Sequence, residues 1–302
     1  MSGEADSLRS ILLALGANLA IALAKTFAAL FTGSSSMLAE AIHSFADCGN
    51  QGLLILGLRR ARLPPTSEHP LGHGKAIYFW SFIVALMLFS MGGLFSVYEG
   101  LHKLHATEPL HAPWVAVGIL VFSIIAEGVS LRGCLSEVGK VRGGRSLWRW
   151  ARETRQSELI VVLGEDLAAL AGLTLALLAV LATVLTSNPL YDALGSISIG
   201  VLLVLVALGI GAQVHGLLIG QSVEPALRQA IHDLLAGRDE VQRVLNLITL
   251  QLGEQVMVAV KVKMASFATP EDMIEASNRC EAALRGAYPQ ITWVFFEPDL
   301  RD

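Results

Sequence analysis

Six stretches of this chain, residues 10–32, 36–58, 78–101, 113–131, 159–185 and 191–211, are dominated by apolar side chains over about 20 residues each, the length that carries an α-helix across a hydrocarbon core about 30 Å thick. Few soluble cores could bury so many such runs. With 53% apolar and only 16% charged residues and a mean hydropathy of +0.57, the chain also lies outside ordinary soluble composition, in which about a quarter of residues are charged. The fold class read from these features is a multi-pass α-helical membrane protein with six transmembrane helices.

Charge then divides the chain. Residues 222–302 carry 12 acidic and 8 basic side chains, and the change falls at "GQSVEPAL", where Pro225 cannot continue a helix. Residues 1–219 are expected to form a transmembrane domain and residues 220–302 a soluble one. The soluble part reads as a helix over 224–236, strands over 241–253 and 255–265 joined through Gly253, Glu254 and Gln255, a helix over 270–285 opened by Pro270, and a strand over 291–300. That order suits a two-layer α/β fold of the ferredoxin-like kind without its opening strand.

Basic residues in the connections set the orientation. Arg59, Arg60, Arg62 and Lys75 follow the second run, and Arg132, Lys140, Arg142, Arg145, Arg149, Arg152 and Arg155 follow the fourth, whereas the opposite side has only Lys103. Both termini and the soluble domain are therefore expected in the cytoplasm. The opening "MSGEADSLR" is acidic and resembles neither a signal peptide nor an Arg-rich transit peptide, so a bacterial inner membrane is the expected location. Cys48, Cys134 and Cys280 have no CxxC spacing and read as buried thiols. A net charge of −4 gives no reason to expect a nucleic-acid partner.

Against this background the second run is out of place. "LAEAIHSFADCGNQ" carries Glu40, His43, Asp47 and Asn50, and an ionisable side chain at mid-membrane costs about 2.5 to 3.5 kcal/mol on insertion scales. Their offsets of 0, 3, 7 and 10 place them in one stripe about 80° wide on a helix, with Asp47 about 16 Å from the outer end. The fifth run supplies "VVLGEDLAALAG", in which Glu165 and Asp166 are adjacent and diverge by about 100°, while Gly164 and Gly172 allow close helix approach. Asp166 is the stronger candidate of the two. An imidazole with carboxylates and no thiolate suits Zn²⁺ in tetrahedral geometry, or Mn²⁺, Fe²⁺ or Co²⁺. The candidate ligands are His43, Asp47, Asp166 and Glu165, with Glu40 and Asn50 as further candidates.

Carboxyl groups in low dielectric hold protons that must leave when a cation binds, which gives a route to proton exchange. A structural polar network between helices is the competing reading of the same residues. Asn18, Lys25, Glu99, Glu127 and Asp192 are given no ligand role: Lys25 repels cations, Glu99 and Asp192 lie near run ends, and Asn18 and Glu127 are expected to bond neighbouring helices.

"SSSMLAEAIHSFADCGNQGLLILGLRRA", "EHPLGHGKAIYFWSFI" and "GGLFSVYEGLHKL" resemble the cation diffusion facilitator family over essentially the whole chain. The resemblance implies a homodimeric exporter that exchanges Zn²⁺ or a similar cation for protons by alternating access, with four ligands shared between the second and fifth spans. His43 and Asp47 match the second-span pair. Many members carry His and Asp four apart on the fifth span, whereas Val162 stands four before Asp166 here, which leaves the fourth ligand to Glu165 or Glu40. The Glu165–Asp166 pair is similar to the mitochondrial branch of the family.

"HPLGHGK" resembles a second, exposed metal site made by His69 and His73, with Glu68 as the acidic partner and Thr66 where some members have Asp; a structural Gly-rich loop is the alternative. The soluble domain has only His232, which does not fit a histidine-rich binuclear site, and the resemblance implies that it works as a dimerisation module. An intramembrane metalloenzyme is disfavoured because HExxH is absent and no Ser or Cys stands with a His and an acid in a run. A non-transporting scaffold or metal sensor would not need the second-span ligands. The expectation is therefore a transporter and not an enzyme.

Overall fold

The computed structural model describes residues 7–32, 35–104 and 113–301, with the backbone alone at 31, 32, 35–40, 42, 43 and 46. The apolar runs become helices α1 (Ser7–Thr32), α2 (Ser35–Ala61), α3 (Ala76–Met87) continuing into α4 (Phe95–Lys103), α5 (Pro113–Val141), α7 (Ser157–Thr186) and α8 (Leu190–Ile219), with a short α6 (Leu147–Glu153) between α5 and α7. Among the described residues, α1, the α3–α4 unit, α5, α7 and α8 are long and apolar enough to cross a membrane. The polar α2 is the sixth long helix, with 27 residues, and is not one of those five.

Three local features depart from the sequence reading. The third run is one continuous helix broken by a π segment, Leu88–Leu94, at Gly92 and Gly93. Gly93 and Gly200 of α8 face each other so closely that a Cβ on Gly93 would stand 2.6 Å from Val204 Cγ2, and one on Gly200 would stand 2.6 Å from the Val97 backbone nitrogen. The π segment, a rare variant found mostly as a short bulge within an α-helix, falls at this contact while the helix continues. The fourth span runs on as helix to Val141, so Arg132 and Lys140 sit on α5 rather than in a loop. Finally, α6 forms where only a connection was read; Ser146 caps it by accepting from the Arg149 N–H, and Trp150 is fully buried.

The long helices close into a ring. α1 packs on α2 and α5, α5 on α7, α7 on α8, α8 on α3, the π segment and α4, and α3 on α2. The apolar core lies at the end of this ring that carries the N-terminus of α1 and the C-terminus of α8, where Ile11, Leu54, Tyr78, Val138, Trp150, Leu159, Val162 and Leu217 are buried together.

The C-terminal part comprises α9 (Pro225–Ala236), β1 (Val241–Leu252), β2 (Gln255–Met264), α10 (Pro270–Ala287) and β3 (Ile291–Pro298). Pro225 starts α9, and a capping box of Thr269 and Asp272 starts α10. The sheet is mixed and three-stranded in the order β1-β2-β3, with β1–β2 antiparallel and β2–β3 parallel. Alternate residues of β2, Val256, Val258, Val260 and Val262, are buried in one core with Ile231 and Leu235 of α9 and Cys280 and Leu284 of α10. The last strand pairs directly with the central strand, in parallel, taking the neighbouring place that the missing opening strand of a ferredoxin-like sheet would hold antiparallel. Cys134 and Cys280 are buried as expected, but Cys48 is partly exposed.

The β1–β2 hairpin meets the loop between α2 and α3 main chain to main chain. Gly253 turns the hairpin with φ +67°, and a Cβ on Gly74 would collide with the Leu252 carbonyl oxygen. The Gly253 N–H donates to the Tyr78 hydroxyl at 3.0 Å, Arg62 lies 3.5 Å from Glu254, and Lys75 Nζ donates to the Leu218 carbonyl at 3.4 Å.

Replacing Gly93 or Gly200 by Val should cost at least about 1 to 3 kcal/mol through overpacking, read as a lower Tm in detergent, whereas Gly118→Ala, which meets open space, should be neutral. In the soluble part Glu240 accepts from Arg238 at 2.9 and 3.1 Å and from Arg279 at 3.1 Å, and these guanidinium groups, Arg238 first, hold its carboxyl down to about 2. A carboxyl whose folded pKa lies below its free value stabilises the fold only while ionised. Glu240→Gln should therefore melt below wild type at pH 7, and the gap should close as pH falls from the ordinary 4.5 toward about 2.

Candidate intramembrane metal site

Helix α7 carries the two acids into the middle of the ring. Gly164 lets α7 approach α8, since a Cβ there would stand 2.7 Å from Ile210 Cδ1, and this close packing leaves Glu165 and Asp166 at 7% and 2% exposure. The adjacent side chains part as helix geometry requires. Glu165 turns toward α2, where its Oε1 accepts from Asn50 Nδ2 and its Oε2 from Gln51 Nε2, both at 2.9 Å. Gln51 in turn accepts from Asn18 Nδ2 of α1 at 3.2 Å. Asp166 turns toward α5, where its Oδ2 accepts from Ser130 Oγ at 2.9 Å.

Asp47 lies one turn before Asn50 on α2, is partly buried, and stands within electrostatic range of Glu165 and of Glu127 on α5. Glu127, at 4% exposure, also feels Asp166 and Lys25. Asp47 thus lies within electrostatic range of Glu165, which adjoins Asp166 in sequence, and Glu127, expected to bond a neighbouring helix, lies within range of all three. Positions 40 and 43 belong to α2, but the side chains of Glu40 and His43 lie outside the described residues. Among the described residues no three His, Cys, Asp or Glu side chains are disposed to hold one metal ion.

The chemistry of the cluster nonetheless suits a cation. Each carboxylate oxygen has two lone pairs, so the amide and hydroxyl donors on Glu165 and Asp166 leave further acceptor capacity on every oxygen. Among the described residues, Asn50 Oδ1 is buried without a hydrogen-bond partner beside Glu165, an oxygen acceptor of the kind that hard and borderline cations take. The same network also holds the helices together, because α1, α2 and α7 meet through Asn18, Gln51, Asn50 and Glu165.

Asn18 bonds a neighbouring helix as expected, whereas Gln51 and Ser130 carry no expectation from the sequence. A signal was present: Glu127 and Ser130 stand three apart on one helix face, and Asn50 and Gln51 are amides in an otherwise apolar run.

At the loop end of the ring the His69 and His73 rings are neighbours, with centroids 4.4 Å apart and planes tilted by 33°, and His73 Nδ1 is buried without a partner among the described residues. Glu68 is exposed in the same loop and does not join the pair as a third group. His232 is half-exposed on α9, 3.2 Å from Asp233. At the opposite end of the bundle Lys103 lies 3.0 Å from Asp192 and 3.4 Å from Glu99, which accounts for those two acids as ion-pair partners.

Removing Glu165 as an acceptor should strand two buried amide donors at about 1 to 3 kcal/mol each. Glu165→Ala should therefore lower the Tm in detergent clearly more than Glu165→Gln, which keeps one acceptor oxygen.

Residues 11–218 match the sequence model of the cation efflux transmembrane domain. The chain is 35% identical over 231 residues to the mitochondrial proton-coupled zinc antiporter of Homo sapiens, covering 76% of this chain and 41% of that protein. It is 33% identical over 224 residues to a metal tolerance protein of Arabidopsis thaliana, covering 73% of this chain and 49% of the relative. It is also 28% identical over 244 residues to the cation-efflux pump FieF of Cronobacter sakazakii, covering 80% of this chain and 75% of the pump. The names of these relatives describe an antiporter, a metal-tolerance protein and a pump, and none describes an enzyme. The chain spans about two fifths of the length of the mitochondrial antiporter that it matches.

Proposed function

We propose a function from one premise: the chain belongs to the cation diffusion facilitator, or cation efflux, family. On that premise this integral membrane protein exports a divalent metal cation, Zn²⁺ in the first place, in exchange for protons by alternating access. The observation that carries the reading is the burial of Glu165 and Asp166 of α7 in an apolar bundle, with Asp47 of α2 within electrostatic range of Glu165, where carboxyl groups are costly unless they serve a cation or a proton. His43, Asp47, Asp166 and Glu165 form the cation site, and Asn50 Oδ1 and Glu40 are the next ligands in line. The metal is the cargo of this site.

Protons replace the cation on the same carboxyls, so that their charge remains compensated throughout the cycle. Burial of Ile11, Leu54, Leu159, Val161 and Val162 at the end of the ring nearest the soluble domain supports a closed gate there. The basic residues at that end assign it to the cytoplasm. In this reading α2 is the sixth span, and residues 220–302 form a dimerisation module whose outer sheet face, with Ile248 and Phe295 at 57% and 56% exposure, receives the second copy. His69 and His73 hold a second ion at the loop, His73 through its buried Nδ1, which has no partner among the described residues.

Reconstitution of the full chain in liposomes under an imposed pH gradient tests the reading. Zn²⁺ flux should follow the gradient, and Asp47→Ala and Asp166→Ala should each reduce it to about a tenth or less, as expected when one charged ligand is removed from a buried ion site. Flux indifferent to the gradient would remove proton exchange, and undiminished flux in both variants would remove the site.

A further inference from the structure

Helix α1 presents one line of polar residues to the interior. Ser7 Oγ donates to Glu158 of α7 at 2.8 Å, and Asn18 Nδ2 donates to Gln51 of α2 at 3.2 Å, so these two positions define the inward face. At about 100° per residue, Lys25 falls within about 20° of both, one heptad or about 10 Å beyond Asn18. A lysine there could in principle reach along its helix to the membrane surface. Its placement says otherwise, because Lys25 is partly buried on the face that meets the acids, and its charge acts on Glu127. Glu127 is itself buried, one turn before the Ser130 that holds Asp166, so the ammonium, Glu127 and the candidate ligands occupy one region between α1, α2, α5 and α7.

Asp47, Glu127, Glu165 and Asp166 act on one another electrostatically in this region, so their negative charge accumulates there unless a cation offsets it. Resting on the transport reading above, we propose that Lys25 is the internal counter-cation of this cluster. Its ammonium balances the acids when no divalent cation is bound, and its repulsion of a bound cation sets an affinity weak enough for release. Glu127 is the acid on which that charge is seen to act, and it does not ligate the cation. Lys25 is thus an affinity-setting residue, and its effect depends on charge rather than on shape.

Zn²⁺ binding by calorimetry to the full chain in nanodiscs, together with Zn²⁺ flux in liposomes, tests this. Lys25→Met should bind Zn²⁺ about tenfold or more tightly and turn over more slowly, because a like charge has been removed at close range in low dielectric. Lys25→Arg should restore wild-type behaviour on both measures, and Glu127→Gln should shift the affinity in the opposite direction to Lys25→Met. Deleting a membrane-embedded charge lowers the insertion cost, and Lys25→Gln provides a second neutral variant with the same expected result. Wild-type affinity and turnover in both neutral variants, or Lys25→Arg behaving like Lys25→Met, would overturn the proposal while leaving transport intact. Wild-type protein that neither binds nor moves Zn²⁺ would overturn the transport reading itself, and this proposal with it.

Discussion

The cost of keeping carboxyl groups away from water governs the architecture of this bundle. Four of the buried acids are each answered by particular donors on another helix or a neighbouring turn: Glu165 by Asn50 and Gln51, Asp166 by Ser130, Glu158 by Ser7, and Glu137 by Arg9 and Lys140. These bonds cross between α1, α2, α5 and α7, so the polar groups set the relative rotation of four helices in a region where apolar packing alone would leave it loosely specified. Had any one of these helices turned by about 100°, a buried acid would lose its donor or leave the interior.

Two kinds of contact therefore share the work of assembly. Small residues bring main chains together on one side of the ring, where Gly93, Gly100, Gly164 and Gly200 admit close crossings with α8. Hydrogen-bonded side chains hold the other side, where α2 meets α7. The first kind is unforgiving of added volume, whereas the second can exchange partners, because amides and carboxylates have more acceptor sites than they use. A cation entering such a site meets groups already oriented toward one another and flexible enough to re-form around it.

Much of this was legible in the sequence. The apolar runs foretold the long helices, period-2 alternation foretold β2, and the 100° divergence of neighbours on a helix foretold that Glu165 and Asp166 would serve different sides. What escaped had no periodic signature. The π segment falls at a close helix crossing between Gly93 and Gly200, 107 positions apart, which no local window contains. Gln51 and Ser130 are small disturbances in hydropathy and become informative only once their helices are placed side by side. Glu127 and Lys25 were each judged alone, one as a helix-bonding acid and the other as a repellent charge; together they belong to one electrostatic unit.

The contact of Gly74 with Gly253 couples two distant stretches of the chain in heredity as well as in space. Where backbone rests on backbone there is no side chain to trim, so a larger residue gained at one position has no compensating substitution at the other. Lengthening either the turn at 253 or the strap ahead of 74 would likewise part the two surfaces. The two loops are thus bound to drift, or to stay fixed, as a single unit.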